Sequence, residues 1–280
     1  MPPQDASLYR VEAVLWSGNT AEICRAVAPN GERVALKRIR RDKRDRANLR
    51  SLRHEADMGR RLDHPNIIKV LDFVADPRDP LVVMEYFPSR NLKVRLKTPR
   101  PDPLLLHRMA DILQQMANAV GHMHRRGIIH MDIKPENFLL SDEGQIKLTD
   151  FAIALPAPRG LAKWLGMRRI AGTRSYIAPE TIRRKQPGFQ ADVYSFGVTI
   201  FEVLTRRAPF TSSDPDELLS MHLKQQPPWP WTFNKNLTHD INDLILAMLA
   251  KDPGHRPQTM EDIAARLKRI RIYEKDPGEG

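Results

Sequence analysis

The stretch IIHMDIKPENFLLSDEGQIKLTDFAIA, residues 128–154, constrains the fold of this chain more than any other segment. It places Asp132, Lys134, Asn137 and Asp150 beside the apolar runs FLL and IKL. Pro135 argues against a helix through the first three of these residues, because proline lacks the N–H that a helix interior needs. The runs FLL and IKL, separated by SDEGQ, predict a short hairpin. The segment therefore predicts polar side chains on loops at either end of a β-hairpin.

These residue types are the ones that phosphoryl transfer from a nucleotide requires. Transfer needs a carboxylate near the attacking hydroxyl, a cation near the moving phosphoryl group and oxygen ligands for magnesium. Asp132, Lys134 and Asn137 supply one of each, and Asp150 is a candidate second magnesium ligand. Each residue could instead cap a turn, but that explanation does not account for several such motifs in this order.

A further candidate pair lies upstream. Lys37 lies in the predicted strand RVALKRI, and Glu55 follows 18 residues later in the predicted helix LRSLRHEADMGRRL. A lysine on a strand is usually only solvated, so this signal is weak by itself. An ion pair with Glu55 would hold the Lys37 ammonium in place as a phosphate clamp.

Together the motifs resemble those of the eukaryotic-type (Hanks-type) Ser/Thr protein kinase catalytic domain. In chain order they are VALK, Glu55, HMDIKPEN, DFA, GTRSYIAPE, ADVYSFGV and KDPGHRP. The resemblance covers nearly the whole chain. It implies an α+β bilobal protein kinase fold, with a β-rich N-lobe that carries one main helix and with a helical C-lobe. It also implies ATP as a cofactor, with Mg²⁺, or Mn²⁺ in its place.

Hydrophobic patterning predicts the same organisation. Strands are expected at 9–16, 21–28, 33–39, 67–76 and 80–87, and helices at 45–62, 104–126 and 193–204. The helix at 104–126 is expected to be continuous, with its methionines filling the core. We place the N-lobe at 1–86, the C-lobe at 87–272, the hinge at about 85–91 and a frayed tail at 273–280.

The resemblance implies a role for each matching residue. Asp132 would orient and deprotonate the substrate hydroxyl, while Lys134 and Thr173 would meet Asp132 and help to place a Ser or Thr acceptor. Lys37, paired with Glu55, would hold the α- and β-phosphates. Asn137 and Asp150 would bind the metal ion. The implied nucleotide-binding residues are Leu15, Gly18, Ile23, Ala35, Lys37, Met84 as gatekeeper, Glu85 and Phe87 through their backbone, and Leu139.

Two further implied roles are structural. Glu180 would pair with Arg256, and Asp192 would brace the loop that carries Asp132.

Three positions depart from the family pattern. The phosphate-binding loop reads WSGNTAEI, so that only Gly18 of the three family glycines is kept. Met131 replaces an arginine that binds activation-segment phosphate in regulated kinases, and residues 152–172 contain no Ser, Thr or Tyr. Ala152 replaces the glycine after DF. We therefore expect an active site that is not switched by phosphorylation of its own activation segment.

The alternative hypothesis is a pseudokinase that acts as a nucleotide-binding scaffold or sensor. The degenerate loop, Met131 and Ala152 favour it, whereas the presence of Lys37, Glu55, Asp132, Asn137 and Asp150 disfavours it. A small-molecule phosphotransferase of related fold would not explain the APE motif or Arg256.

Composition limits the partners and the compartment. The formal net charge is +11, and basic residues cluster at 38–46 and at Arg159, Lys163, Arg168, Arg169 and Arg174. These clusters predict either protein substrates that are acidic around the acceptor, or a basic face that is only solvated or that docks another domain. No interleaving of aromatic and basic residues supports a nucleic-acid partner. The single cysteine, Cys24, and the lack of a signal-peptide pattern or of an apolar run of about 20 residues predict a cytoplasmic location without a membrane segment.

Overall fold

The five strands expected before residue 88 form one antiparallel sheet in the computed structural model, which describes residues 5–98, 102–158 and 172–275. The strand order is β1-β2-β3-β5-β4. The strands are β1 (Arg10–Ser17), β2 (Ala21–Val27), β3 (Arg33–Ile39), β4 (Val70–Val74) and β5 (Leu81–Glu85). Together with α1 (Arg46–Gly59), the sheet belongs to a unit made of Met1–Pro88 and Thr149–Ile153.

One face of this sheet is apolar because side chains alternate along each strand. Cys24 and Ala26 of β2 and Val34 and Leu36 of β3 are buried in the same cluster. Their neighbours Ala35 and Lys37 therefore lie on the opposite face. The alternation in RVALKRI thus places a lysine away from the apolar face of the sheet.

Helix α1 follows the predicted pattern closely. The Asp45 carboxylate caps its first turn by accepting from the N–H groups of Ala47 and Asn48. The buried stripe of the helix is Leu52, Glu55, Ala56 and Gly59. Glu55 is therefore a carboxylate within an otherwise apolar stripe, which requires a buried cation as partner.

The second unit comprises Ser89–Leu148 and Ala154–Gly280. Thr149–Ile153 groups with the first unit. The strands of the second unit are β6 (Arg90–Asn91), β7 (Ile128–Ile129), β8 (Phe138–Leu140), β9 (Ile146–Leu148) and β10 (Leu155–Pro156). Its helices are α2 (Leu92–Leu96), α3 (Pro103–His107), α4 (Met109–Arg125), α5 (Pro179–Ile182), α6 (Phe189–Thr205), α7 (Pro215–Lys224), α8 (His239–Met248) and α9 (Met260–Arg269). The α+β class is confirmed.

The core of this unit contains the two long helices α4 and α6. Every residue of α6 from Ala191 to Thr205 is buried, which confirms the helix predicted at 193–204. Met109, Met116 and Met123 of α4 are buried and fill the core as expected. None of the helices in the described part of the chain combines the length and hydrophobicity needed to cross a bilayer.

The structure corrects two expectations. The helix predicted at 104–126 is broken at Arg108, whose backbone dihedrals (φ −118°, ψ 18°) are not helical. The Arg108 guanidinium contacts the Glu143 carbonyl and the Asp111 carboxylate. The expected frayed tail is wrong for its first residues, because Tyr273 bridges to Leu237 and the N–H of Glu274 donates to the Asn236 carbonyl. Residues 276–280 lie outside the described residues.

His222 of α7 generates a prediction about acid stability. It is buried, and its Nδ1 lies 2.9 Å from the Tyr194 hydroxyl oxygen. Burial, followed by the nearby Lys251 ammonium, lowers the pKa of His222 from 6.5 to about 4. The unfolded chain therefore takes up a proton here at higher pH than the folded chain. The contribution of His222 to stability should be complete above pH 6.5 and should decline by up to about 3 kcal/mol as the pH falls to 4.

We expect His222→Gln to remove this part of the decline, as measured by urea unfolding between pH 7 and pH 4. The same substitution at the exposed His255 is the matched control. Equally steep declines in the wild type and in His222→Gln would contradict the assignment.

Candidate functional site

Lys37, Glu55 and Asp150 form a cluster in the first unit. The Lys37 Nζ atom lies 2.7 Å from the Glu55 carboxylate and 3.0 Å from Asp150 Oδ1. Burial by itself would lower the pKa of Lys37, but Glu55 and then Asp150 outweigh it and hold the pKa above its usual value. The lysine is therefore a fixed cation, with Glu55 buried and the Asp150 side chain 37% exposed.

Several of the expected nucleotide-binding residues lie on the sheet face that carries Lys37. Ile23 is directly opposite Lys37 across β2 and β3, and Ala35 is opposite Met84 across β3 and β5. Residues directly opposite in a ladder share a face of the sheet. Ile23, Ala35, Lys37 and Met84 are therefore neighbours on this face.

Three further residues of this set lie in or next to strands β1 and β5. Leu15 lies at a register shift of β1 and is 48% exposed. Phe87 follows β5. The Glu85 N–H donates to the Lys69 carbonyl, at 3.0 Å. Because this N–H is already used, only the Glu85 carbonyl is available for the backbone contact expected with the nucleotide.

Gly18 lies against the side chain of Trp16, which replaces one family glycine. A Cβ atom built on Gly18 would lie 2.1 Å from Cη2 of Trp16. Trp16 is 51% exposed, so a side chain at position 18 would require the indole ring to move. The approach of phosphate to Gly18 stays a prediction.

Asp132, Lys134, Asn137 and Thr173 form a second cluster, in the second unit. The Thr173 hydroxyl donates to Asp132 Oδ1 at 2.7 Å, and Lys134 Nζ lies 2.5 Å from Asp132 Oδ2. Lys134 also donates to the Thr173 hydroxyl, at 2.8 Å. Asn137 Nδ2 donates to the carbonyl of Asp132 and to its Oδ2, at 2.8 and 3.2 Å. Asp132 is thus held by three side chains.

The loop that carries Asp132 is fastened to α6. Asp192 accepts the backbone N–H groups of His130 and Met131, at 2.7 and 2.9 Å. The implied bracing role of Asp192 therefore matches the geometry. The implied ion pair also forms, since Arg256 contacts both oxygens of Glu180 at 2.7 and 2.9 Å. Leu139 lies on β8, in the hairpin with β9 that the sequence predicted.

The two substituted family positions, Met131 and Ala152, differ in backbone conformation. Met131 is buried, at 7% exposure, with φ at 70°. A Cβ atom at Gly172, whose φ is 101°, would lie 2.7 Å from the Met131 carbonyl oxygen, which explains that glycine. The positive φ of the DFA motif occurs at Asp150 (68°) and not at Ala152. The alanine therefore replaces glycine without backbone strain.

The basic residues at 38–46 are largely paired. Arg38 and Arg44 both contact Asp79, and Arg40 and Lys43 both contact Asp42. Arg159, Lys163, Arg168 and Arg169 lie outside the described residues, and Arg174 is exposed. The formal charge of the 38–46 group therefore overstates its attraction for acidic partners.

Sequence reasoning missed one group of polar residues. Lys93 of α2 contacts the carboxylate of Glu202 on α6, and the Tyr176 hydroxyl donates to the same carboxylate. Lys93 and Glu202 are 109 positions apart, and no local pattern links them. A buried glutamate within the apolar run of α6 was the only available signal.

Comparison with known proteins extends this picture. The family model of the protein kinase domain matches residues 9–266. The probable serine/threonine-protein kinase SCO3848 of Streptomyces coelicolor is 33% identical over 93% of this chain and 39% of its own length. The serine/threonine-protein kinase PrkC of Bacillus subtilis is 32% identical, over 93% of this chain and 40% of its own length. The serine/threonine-protein kinase PknB of Mycobacterium tuberculosis is 31% identical, over 99% of this chain and 45% of its own length. The chain thus spans less than half the length of these curated relatives.

Proposed function

The chain belongs to the protein kinase domain family, and we propose that it transfers the γ-phosphoryl group of ATP to Ser and Thr hydroxyls of protein substrates. The observation that carries the proposal is the Asp132 carboxylate, held at once by Lys134, Thr173 and Asn137. A base must have a fixed position to take a proton from the attacking hydroxyl. The names of the relatives, which are Ser/Thr kinases, support the same reaction.

Asp132 has the geometry of a base that works beside a cation. Its two oxygens are separately engaged, Oδ1 by the Thr173 hydroxyl and Oδ2 by Lys134. We assign Asp132 to orient and deprotonate the acceptor, and Lys134 to stabilise charge on the moving phosphoryl group. Thr173 would fix the carboxylate and help to place a Ser or Thr acceptor.

Lys37 has the properties of a phosphate clamp. Its pKa is held above the usual value by the two carboxylates, so its charge persists across the physiological range. Glu55 fixes the ammonium from one side at 2.7 Å. On the same sheet face, Ile23, Ala35 and Met84 provide the small and apolar surface that suits an adenine ring. Leu15, Gly18, Glu85, Phe87 and Leu139 complete the proposed nucleotide site.

The oxygen donors of Asn137 and Asp150 suit Mg²⁺, or Mn²⁺ in its place. Asn137 uses its Nδ2 toward Asp132, so its Oδ1 faces away from that carboxylate. The Asp150 carboxylate keeps more than a third of its surface exposed. A metal ion held here would neutralise phosphate charge and orient the β- and γ-phosphates. Both donor residues are present in the sequence and the relatives are Ser/Thr kinases, so a nucleotide scaffold without transfer activity is not favoured.

We also propose that activity does not depend on a phosphorylated activation segment. Met131, at the position where the family pattern has a phosphate-binding arginine, is buried and cannot pair with phosphate. The hydroxyl-free run 152–172 supports the same conclusion, although 159–171 lie outside the described residues. We also propose that the chain divides into two lobes near residues 85–91. A cytoplasmic location is proposed as well, and the single cysteine is consistent with it.

We expect Asp132→Asn to lower phosphoryl transfer on the order of 10²-fold or more, because the base is lost. Nucleotide binding should stay nearly intact, since Asp132 contacts the acceptor in the proposed mechanism. Transfer is measured with labelled ATP and a generic protein substrate, and binding by titration with a fluorescent nucleotide. The exposed Asp243→Asn is the matched control. Near wild-type turnover in Asp132→Asn would refute the assignment.

We expect Asp150→Ala to remove magnesium-dependent ATP binding together with transfer, because no neighbouring carboxylate in the DFA motif replaces it. Nucleotide titrations with and without Mg²⁺ measure the effect. Asp57→Ala, at an exposed position of α1, is the control. Unchanged metal dependence in Asp150→Ala would remove Asp150 from the metal site.

We expect phosphatase-treated protein to match untreated protein in transfer rate. The physical reason is that buried Met131 cannot bind a phosphate on the segment. The measurement compares initial rates after complete dephosphorylation, confirmed by mass spectrometry. A large loss of rate that maps to phosphate on Thr173 or Ser175 would overturn this expectation.

A further inference from the structure

A cavity of about 540 Å³ lies in the second unit, next to the segment that holds Asp132. Its lining includes Lys93, Ser175, Tyr176, Glu202, Arg206 and Arg207. Ser175 and Tyr176 lie two and three residues after Thr173, whose hydroxyl contacts Asp132. A polypeptide whose acceptor hydroxyl reaches Asp132 would therefore pass near this cavity. Its volume is sufficient for a single side chain of such a polypeptide.

Glu202 gives the cavity a buried carboxylate, and the chain itself supplies the cation. The Glu202 side chain is 8% exposed and contacts the Lys93 ammonium. The Tyr176 hydroxyl donates to Glu202 Oε2 at 2.5 Å. Burial, followed by Glu202, raises the pKa of Tyr176 far above its usual value, so the hydroxyl stays a donor. The Glu202 carboxylate therefore has both a charge partner and a hydrogen-bond partner.

Glu136 is a second carboxylate beside the same lysine. Its Oε1 lies 3.9 Å from Lys93 Nζ, and its Oε2 is buried without a hydrogen-bond partner among the described residues. Lys93 thus stands between two carboxylates that would otherwise attract a cation from outside. A buried carboxylate is costly unless a cation accompanies it. An incoming basic side chain would have to displace Lys93 before it could pair with Glu202.

The other charges that line the cavity are positive. Arg206 and Arg207 are exposed, and neither pairs with a carboxylate in the described ranges. Arg206 ends α6 in the left-handed conformation, with φ at 59°, a position that glycine usually occupies. Arg207 lies 5.8 Å from the centre of the Phe233 ring. With Lys93 satisfying Glu202, these two guanidinium groups leave the cavity with an excess of positive charge.

We propose that Lys93 is a specificity-determining residue that occupies the Glu202 carboxylate in place of a substrate cation. The cavity then selects polypeptides with an acidic side chain near the acceptor hydroxyl and rejects those with a basic one. This inference rests on the kinase function proposed above. It gives a second reason to expect acidic substrates, which depends on Lys93, Arg206 and Arg207 and not on residues 159–171.

The test measures binding of labelled peptides in which alanine replaces the acceptor, so that no transfer is required. Three series carry Asp, Arg or Ala in turn at each position around the acceptor, and affinity is read by fluorescence anisotropy at low and high salt. In the wild type, Asp peptides should bind more tightly than Arg peptides, and the difference should shrink as salt rises.

Lys93→Ala should reverse this ranking at the position that reaches the cavity, with about a tenfold gain for Arg peptides relative to Ala peptides. The double variant Arg206→Ala with Arg207→Ala should bind Asp peptides more weakly than the wild type does. It should not show the increased affinity for Arg peptides that is expected of Lys93→Ala. Lys97→Ala removes the same charge just after α2 but does not line the cavity, and it should keep the wild-type ranking. The proposal is overturned if Lys93→Ala and Lys97→Ala give the same ranking.

Lys93→Ala leaves a buried carboxylate without its cation and could unfold the protein. The double variant Lys93→Met with Glu202→Gln removes both charges and preserves much of the volume. It should discriminate less than the wild type against Arg peptides relative to Ala peptides. Thermal unfolding checks that it is folded, and wild-type discrimination in this folded variant would overturn the proposal.

A parallel transfer assay, with serine restored in the peptides, separates this inference from the kinase function. Peptide binding that changes with Lys93 as expected, but without any transfer by the wild type, would refute the kinase function and support the cavity assignment. Transfer by the wild type with a ranking that Lys93→Ala leaves unchanged would refute the cavity assignment alone.

Discussion

The buried carboxylate of Asp192 is the constraint on which the candidate catalytic loop depends. It has no exposed surface, and it accepts from the N–H groups of His130 and Met131 and contacts His124 Nε2 at 2.9 Å. A carboxylate buried this deeply is tolerated only when its hydrogen bonds are made. The loop must therefore adopt the backbone that brings both N–H groups to α6. That requirement accounts for the left-handed φ of Met131, directly before Asp132.

The same principle applies to three further buried carboxylates, each of which has a cationic partner. Glu55 is paired with Lys37, Glu180 with Arg256 and Glu202 with Lys93. Each acidic residue comes from a helix, and each cation comes from outside that helix, 18, 76 and 109 positions away. Buried ion pairs add little net stability, but loss of one partner is costly. They therefore specify which segments pack together, which is what a site built from several loops and strands requires.

Much of the fold could be predicted from local patterns. Alternation in RVALKRI predicts a strand, and the buried positions Val34 and Leu36 place Lys37 on the opposite face. Asp45 marks the start of α1 as its cap, and the SDEGQ turn marks the hairpin of β8 and β9. The break at Arg108 was not predicted, because the side chain is anchored by a carbonyl 35 positions away. The tail was missed for the same reason, since Glu274 is held by Asn236.

The sequence by itself determined the strands of the first unit, the longest helices and the inventory of polar groups, because these depend on short-range periodicity and on residue type. The motif order was also sufficient to identify Asp132, Lys134, Asn137 and Asp150 as candidates. Only the tertiary structure decided which charges are neutralised and which are exposed. Arg38 and Arg44 are paired with Asp79, while Arg206 and Arg207 stay exposed beside the cavity. An ion pair needs a separation of a few ångströms, and packing alone brings residues as distant as Lys93 and Glu202 to that separation.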